Sequence, residues 1–181
     1  MAILKRFFSV KPRPKAADAA YIALLDAARN PFFYTELGVP DTLDGRFELI
    51  VLHLVLLQTR LASIAGSARL AEGLTQAFLD DMGRALREMG VLYPLKRLKK
   101  MGQAYAGRAG AYQAGLQNRE ALKTALARNL YGTVADGDVA LLDRAADCVM
   151  HRWHTLHQAA DDTLMDGSYA WADAARSRAA A

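Results

Sequence analysis

The sequence predicts an all-α protein, a compact bundle of about six helices with one central apolar helix. Alanine and leucine, interspersed with arginine, lysine and glutamine, dominate the chain, and all are strong helix formers. Valine, isoleucine and threonine are sparse and never alternate for long, so no strand is expected. Apolar residues recur instead at steps of three and four, the period of a helix with one buried face. The 181 residues suit one domain, and a hydrophobic share of 52% is ample for a core without disulfide or metal.

The division expected is a basic amphipathic tail over residues 1–15, a helical domain over 16–160, and a C-terminal tail over 161–181 that is partly ordered at best. A first helix is expected from Ala16 to Asn30, where Asn30-Pro31 ends it, because the residue before proline avoids the α region. A connector from Phe32 to Gly45 follows, punctuated by Gly38 and Pro40. In the next helix, from about Arg46 to Ser63, Phe47, Ile50, Leu54, Leu57 and Leu61 form one stripe that continues to Ile64. Leu49, Val51, Leu52, Val55 and Leu56 fill most of the remaining circumference. A helix apolar nearly all round belongs at the centre of a bundle. The third, Ala68 to Met89, carries the stripe Leu79, Met82, Leu86 and Met89, with Gly90 as its C-terminal cap. Pro94 suits the first turn of a fourth, where Leu95, Leu98, Gly102, Tyr105, Ala109, Tyr112 and Leu116 keep strict spacing. Gly102 and Ala109 are expected to admit a close neighbour. A fifth helix spans Arg119 to Tyr131 and stops at Gly132. A sixth spans Asp138 to Gln158, capped by its aspartate.

Few residues suggest catalysis. His151, His154 and His157 on the sixth helix fan across about 120° of its surface, too wide for one helix to close a metal site. His53, inside an apolar helix, reads as a core histidine bonded to a carbonyl or a neighbouring side chain. Asp80-Asp81 and Asp161-Asp162 read as solvated pairs. No phosphate loop, paired-cysteine zinc pattern or nucleophile elbow is present, so neither catalysis nor a cofactor is expected. The single Cys148 fits a reducing compartment, and no stretch approaches the ~20 apolar residues that span a bilayer.

The basic residues are more informative. A net charge of +4 favours acidic partners. Lys96, Arg97, Lys99 and Lys100 open the fourth helix, where cations oppose the helix dipole, and Arg108 continues its polar side. In the tail, Ile3, Leu4, Phe7 and Phe8 share one side of a short basic segment suited to a membrane interface.

The segment FFYTELGVPDTLDGRFELIVLHLVLL, Phe32 to Leu57, resembles the hallmark of the ubiquinol–cytochrome c chaperone family. LDDMGRALREMG from Leu79, KRLKKMGQAYAGRAGAYQAGL from Lys96 and ALARNLYG from Ala125 follow in family order, so the likeness runs over roughly Ala17 to Gly132. By motif position it marks Tyr34, Leu37, Gly38, Asp41, Asp44, Gly45, Arg46 and His53. It marks Asp81, Arg84, Arg87, Glu88 and Gly90 in the second block. Lys96, Lys100, Met101, Tyr105, Gly107, Arg108 and Tyr112 belong to the third, and Arg128, Asn129 and Gly132 to the last. The chain departs at Tyr93-Pro94-Leu95, where the family carries a more glycine-rich turn, and at Ala106, where an aromatic is usual.

The resemblance implies an all-α, non-enzymatic chaperone of the bacterial short form. It would hold newly made cytochrome b while ubiquinol–cytochrome c reductase is assembled, beside the ribosome or an accessory assembly factor. The place implied is the cytoplasm, with peripheral contact at the inner membrane; no DNA is expected. On the fourth helix, Lys96, Arg97, Lys99, Lys100, Met101, Tyr105, Arg108 and Tyr112 are the expected client contacts, aromatic and apolar groups within a basic rim. Two rivals stand beside this reading. One is a basic helical module for ribosome, RNA or anionic membrane. The other is a metal- or haem-binding protein using His151, His154 and His157.

Overall fold

The computed structural model describes residues 12–90, 94–132 and 139–172, with the backbone alone for residues 94–97. The described residues are all-α. They hold six helices of eight residues or more: α1 (Lys15–Ala28), α3 (Leu43–Leu61), α4 (Ala68–Glu88), α5 (Pro94–Gly115), α6 (Arg119–Leu126) and α7 (Val139–Gln158). Two short helices, α2 (Phe32–Thr35) and α8 (Asp161–Met165), complete the set, and a π-helical turn, Ala127–Tyr131, continues α6.

The centre is α3. Every residue from Leu49 to Leu57 is buried, which a helix achieves only when neighbours cover it on all sides. Those neighbours are α1, α4, α5, α7 and the π-turn. Each fully buried leucine or valine there contributes roughly 1.5–3 kcal/mol. The helix begins at Thr42, whose hydroxyl accepts a hydrogen bond from the Gly45 N–H at 3.1 Å. Gly45 is tightly enclosed: a Cβ on it would lie 2.0 Å from the Pro40 carbonyl oxygen.

Several elements differ from expectation. The connector folds its aromatic start into α2, which buries Phe33. Met89 does not join the α4 stripe. It caps the helix and is 52% exposed, because the buried face swings through Leu70, Leu74, Ala77, Phe78, Met82 and Leu86. Gly90 then turns the chain out of the helix at φ +70°. Gly102 admits no neighbour, since a Cβ there would meet nothing; the close approach is at Gly115, 2.8 Å from the Leu122 Cα. Asp81 is half-buried and accepts a hydrogen bond from Tyr21 at 3.1 Å, while its exposed neighbour Asp80 pairs with Arg13 at 2.8 Å. The capping role expected of Asp138, and the membrane contacts expected of Ile3, Leu4, Phe7 and Phe8, lie outside the described residues.

The largest difference is at the C-terminal end. Residues 161–172 are part of the packed unit: Leu164 is buried, and Tyr169 and Trp171 pack against the core. Arg60 ties this segment to the end of α3, donating to Asp161 at 2.5 Å and to the Ala159 carbonyl at 3.3 Å. Gly167 sits where a Cβ would be 2.3 Å from the Ala16 carbonyl oxygen, so the segment lies directly against the start of α1.

Candidate client-binding surface

The helix expected to meet a client, α5, has two unlike faces. The strictly spaced side turns inward. Tyr112 is wholly buried, and its hydroxyl is pushed well above the ordinary tyrosine range by burial and then by Glu48. Tyr105 is half-buried and donates to the Gln58 side-chain oxygen at 2.7 Å; burial pushes its hydroxyl up to about 12. Gln58 in turn donates to Thr75 at 2.6 Å, so one chain of hydrogen bonds joins α3, α4 and α5. Met101 packs partly buried against the core.

Arg108 is likewise engaged within the fold. Its Nε lies 2.7 Å from both carboxylate oxygens of Glu48, and its guanidinium stands 5.7 Å from the Phe47 ring centroid. Glu48 is 4% exposed. Burial holds its carboxyl above the ordinary glutamate range, and Arg108 opposes that rise without cancelling it. Two expected contacts are therefore corrected. Tyr112 cannot touch a client without unfolding, and Arg108 balances a buried carboxylate in place of edging an open surface. The three–four spacing that singled them out is the spacing of an inward stripe.

The outward face of α5 carries Lys99, Lys100, Gln103, Ala106, Gly107 and Gly110, all exposed. Lys96 and Arg97 lie on the first turn and a half, where the backbone alone is described. Among the described residues, a Cβ at Gly102, Gly107 or Gly110 would meet no atom within 4 Å. Beside this face an open groove of about 510 Å³ runs between α3, α4 and α5, lined by Gln58, Ala62, Ile64, Gly66, Ala71 and Gln113.

A second polar cluster lies deep in the core. His53 donates from Nδ1 to the Leu49 carbonyl at 2.7 Å, which leaves Nε2 to accept from Arg152 at 3.0 Å. Burial and then the Arg152 charge depress this histidine to about 3, so it stays neutral. The Arg152 guanidinium stands 5.0 Å from the Phe33 ring and 5.9 Å from Trp171, and Trp171 meets the His53 ring at 5.0 Å. The core reading of His53 holds. Sequence reasoning missed Arg152 and Trp171. The signal was present for Arg152, since Ala145, Val149, Arg152 and Leu156 share one three–four stripe, all buried.

The sequence profile of the Ubiquinol-cytochrome C chaperone family matches residues 35–171, three quarters of the chain. The chain belongs to that family. The match starts one residue after Tyr34 and continues past Gly132 through α7 to Trp171, further than the resemblance read from sequence. The chaperone is also similar to a solved structure, the Cbp3 homolog from Brucella abortus, with TM-score 0.80 and 29% identity over 89% of this chain and 91% of that one. No curated protein sequence matches it.

Many family-motif positions of this chaperone are joints of the fold. The Leu37 carbonyl accepts from the Tyr131 hydroxyl at 2.8 Å, and Gly38 and Gly132 turn the chain at φ +60° and +58°. Asp41 pairs with Arg46 at 2.7 Å across the start of α3, which holds the Asp41 carboxyl below its ordinary range. Asp44 stands in the first turn, favourably placed against the helix dipole. Tyr34 is half-buried, and Asn129 lies in the π-turn beside Tyr112. Arg84, Arg87, Glu88, Gly107 and Arg128 are exposed. On α7, His151 is half-buried, His154 and His157 are exposed, and the His157 ring meets that of Trp153 at 4.4 Å with the planes tilted by 58°. Among the described residues no three His, Cys, Asp or Glu side chains gather as metal ligands, and no helix is long and apolar enough to cross a membrane.

Proposed function

We propose that this chain is a non-enzymatic assembly chaperone that binds newly made cytochrome b during biogenesis of ubiquinol–cytochrome c reductase. The observation that carries the reading is the family match across residues 35–171. The outward face of α5 supports it physically. A glycine inside a helix costs about 1 kcal/mol relative to alanine, and helices keep such residues where another backbone must come close. Gly107 and Gly110 stand exposed with no such neighbour among the described residues. A hydrophobic helix of the client, laid along this face and into the adjoining groove, supplies that neighbour. Met101, Tyr105, Arg108 and Tyr112 then support the surface from within, and Lys99 and Lys100 stand at one end of it. The chaperone would act in the cytoplasm, close to the membrane that receives its client.

The test is site-specific photocrosslinking in native cells from Gln103 on this face, with exposed Ile22 on α1 as control. Cytochrome b captured from Gln103 and not from Ile22 is the expected result. Ribosomal proteins or RNA captured from Gln103, with no cytochrome b, would overturn it in favour of a basic ribosome-binding module.

A further inference from the structure

Six cations among the described residues face a carboxylate. Arg13 pairs with Asp18 and Asp80, Arg46 with Asp41, Arg60 with Asp161, Arg108 with Glu48, and Arg119 and Lys123 with acids of α7. Of the cations that do not, four gather at one corner of the fold. Arg84 and Arg87 near the end of α4, and Lys99 and Lys100 in the second turn of α5, are exposed and pair with no carboxylate among the described residues. The two helices pack on each other. At 1.5 Å per residue, Arg84 and Arg87 lie within about 10 Å of the end of α4, and Lys99 and Lys100 within about 10 Å of the start of α5, the next helix along the chain. Met89, 52% exposed, follows Arg87 and the exposed Glu88 at the end of α4.

We infer that this corner docks on an anionic phospholipid surface. Charge complementarity names an acidic partner, and Met89 decides which kind. A flexible, exposed apolar side chain at the same end of α4 as exposed cations suits the boundary between headgroups and acyl chains. Against nucleic acid it would stay in water. Single strands are gripped by aromatic stacking, and none of the exposed large apolar side chains among the described residues (Ile22, Leu43, Met89, Val139) is aromatic. The corner lies at the N-terminal end of the α5 face proposed for the client. Docking here would hold that face beside the bilayer into which the client goes.

The experiment uses the full chain and phosphatidylcholine vesicles with and without phosphatidylglycerol, with no client present, so its outcome is independent of the cytochrome b reading. The chain should sediment with the anionic vesicles only, and less as salt rises. Charge reversal at R84E, R87E, K99E and K100E should weaken that binding on the order of a hundredfold or more, from the usual contribution of each basic residue near an anionic surface. M89S should weaken it several-fold with the charges intact, and thermal melts would establish that both variants fold. Three results would overturn the proposal: undiminished binding by the charge-reversed chain, loss of binding on F7S and F8S alone, or charge-dependent binding to polyuridine RNA with none to vesicles.

Discussion

Helices α3 and α5 lie against each other, and both carry polar groups amid apolar ones, but they use them in opposite ways. On α3 the charged or titratable groups that turn inward are answered: Glu48 by Arg108, His53 by Leu49 and Arg152, Arg60 by Asp161. On the outward side of α5, Gly107 and Gly110 meet no neighbour, and Lys99 and Lys100 meet no acid among the described residues. Polarity that is buried and paired fixes this fold. Small and charged positions left open are where it can meet something else.

The sharpest way to break the α3 side is Gly45→Ala. Its Cβ would lie 2.0 Å from a backbone oxygen, which nothing short of displacing the α3 N-terminus relieves. A loss of about 4 kcal/mol in denaturant unfolding is expected. Arg108→Ala comes next, leaving Glu48 buried without its cation. About 3 kcal/mol is expected, the lower end of the range for a broken buried pair, because the arginine side chain is a quarter exposed. The loss should shrink on acidification. Without arginine the Glu48 pKa rises further above its unfolded value. The folded state then gains a proton more readily than the unfolded one, and stability recovers as pH falls from 7 towards about 5.

The core histidine should give a slope of the opposite sign. His53 titrates near 3 when folded against 6.5 as its ordinary value. Its contribution is therefore complete above 6.5 and is lost as pH falls from there, by up to about 1.4 kcal/mol per pH unit. Unfolding curves of His53→Gln across that window should be flatter than wild type. Trp171→Ala, which uncovers the same cluster, should cost about 2 kcal/mol, less than a fully buried tryptophan because the ring is half-exposed. The smallest effects belong to α5 and run the other way. Gly102→Ala, Gly107→Ala and Gly110→Ala should each raise stability by about 0.5–1 kcal/mol, since the new methyl groups meet nothing. Gly107→Leu and Gly110→Leu should leave the melt largely intact and reduce client capture.

How legible all this was depended on the length scale of the signal. The central position of α3 was plain, because nine consecutive buried residues leave an unmistakable all-round apolar pattern. The capping turn at Gly90 and the start of α5 at Pro94 were equally local. The inward placing of Tyr112 and Arg108 on α5 was not legible, because aromatic residues at helical spacing look alike whether they line a groove or fill a core. Only the Glu48 partner, sixty residues earlier, reveals that Arg108 faces inward. Trp171 was less visible still. It lies in a stretch with no periodicity, and its contacts are with His53 and Arg152, which no pattern near it announces.

The position of Trp171 also orders events in time. A ribosome delivers the chain from α1 onward, and His53 emerges more than a hundred residues before the ring that covers it. Until Trp171 leaves the exit tunnel, the junction of α2, α3 and α7 has one wall missing, and Gly167 has not yet closed against Ala16. Closure of this junction therefore waits on the far end of the packed unit, and a chain truncated before Trp171 would leave its arginine–histidine pair without the ring that covers it.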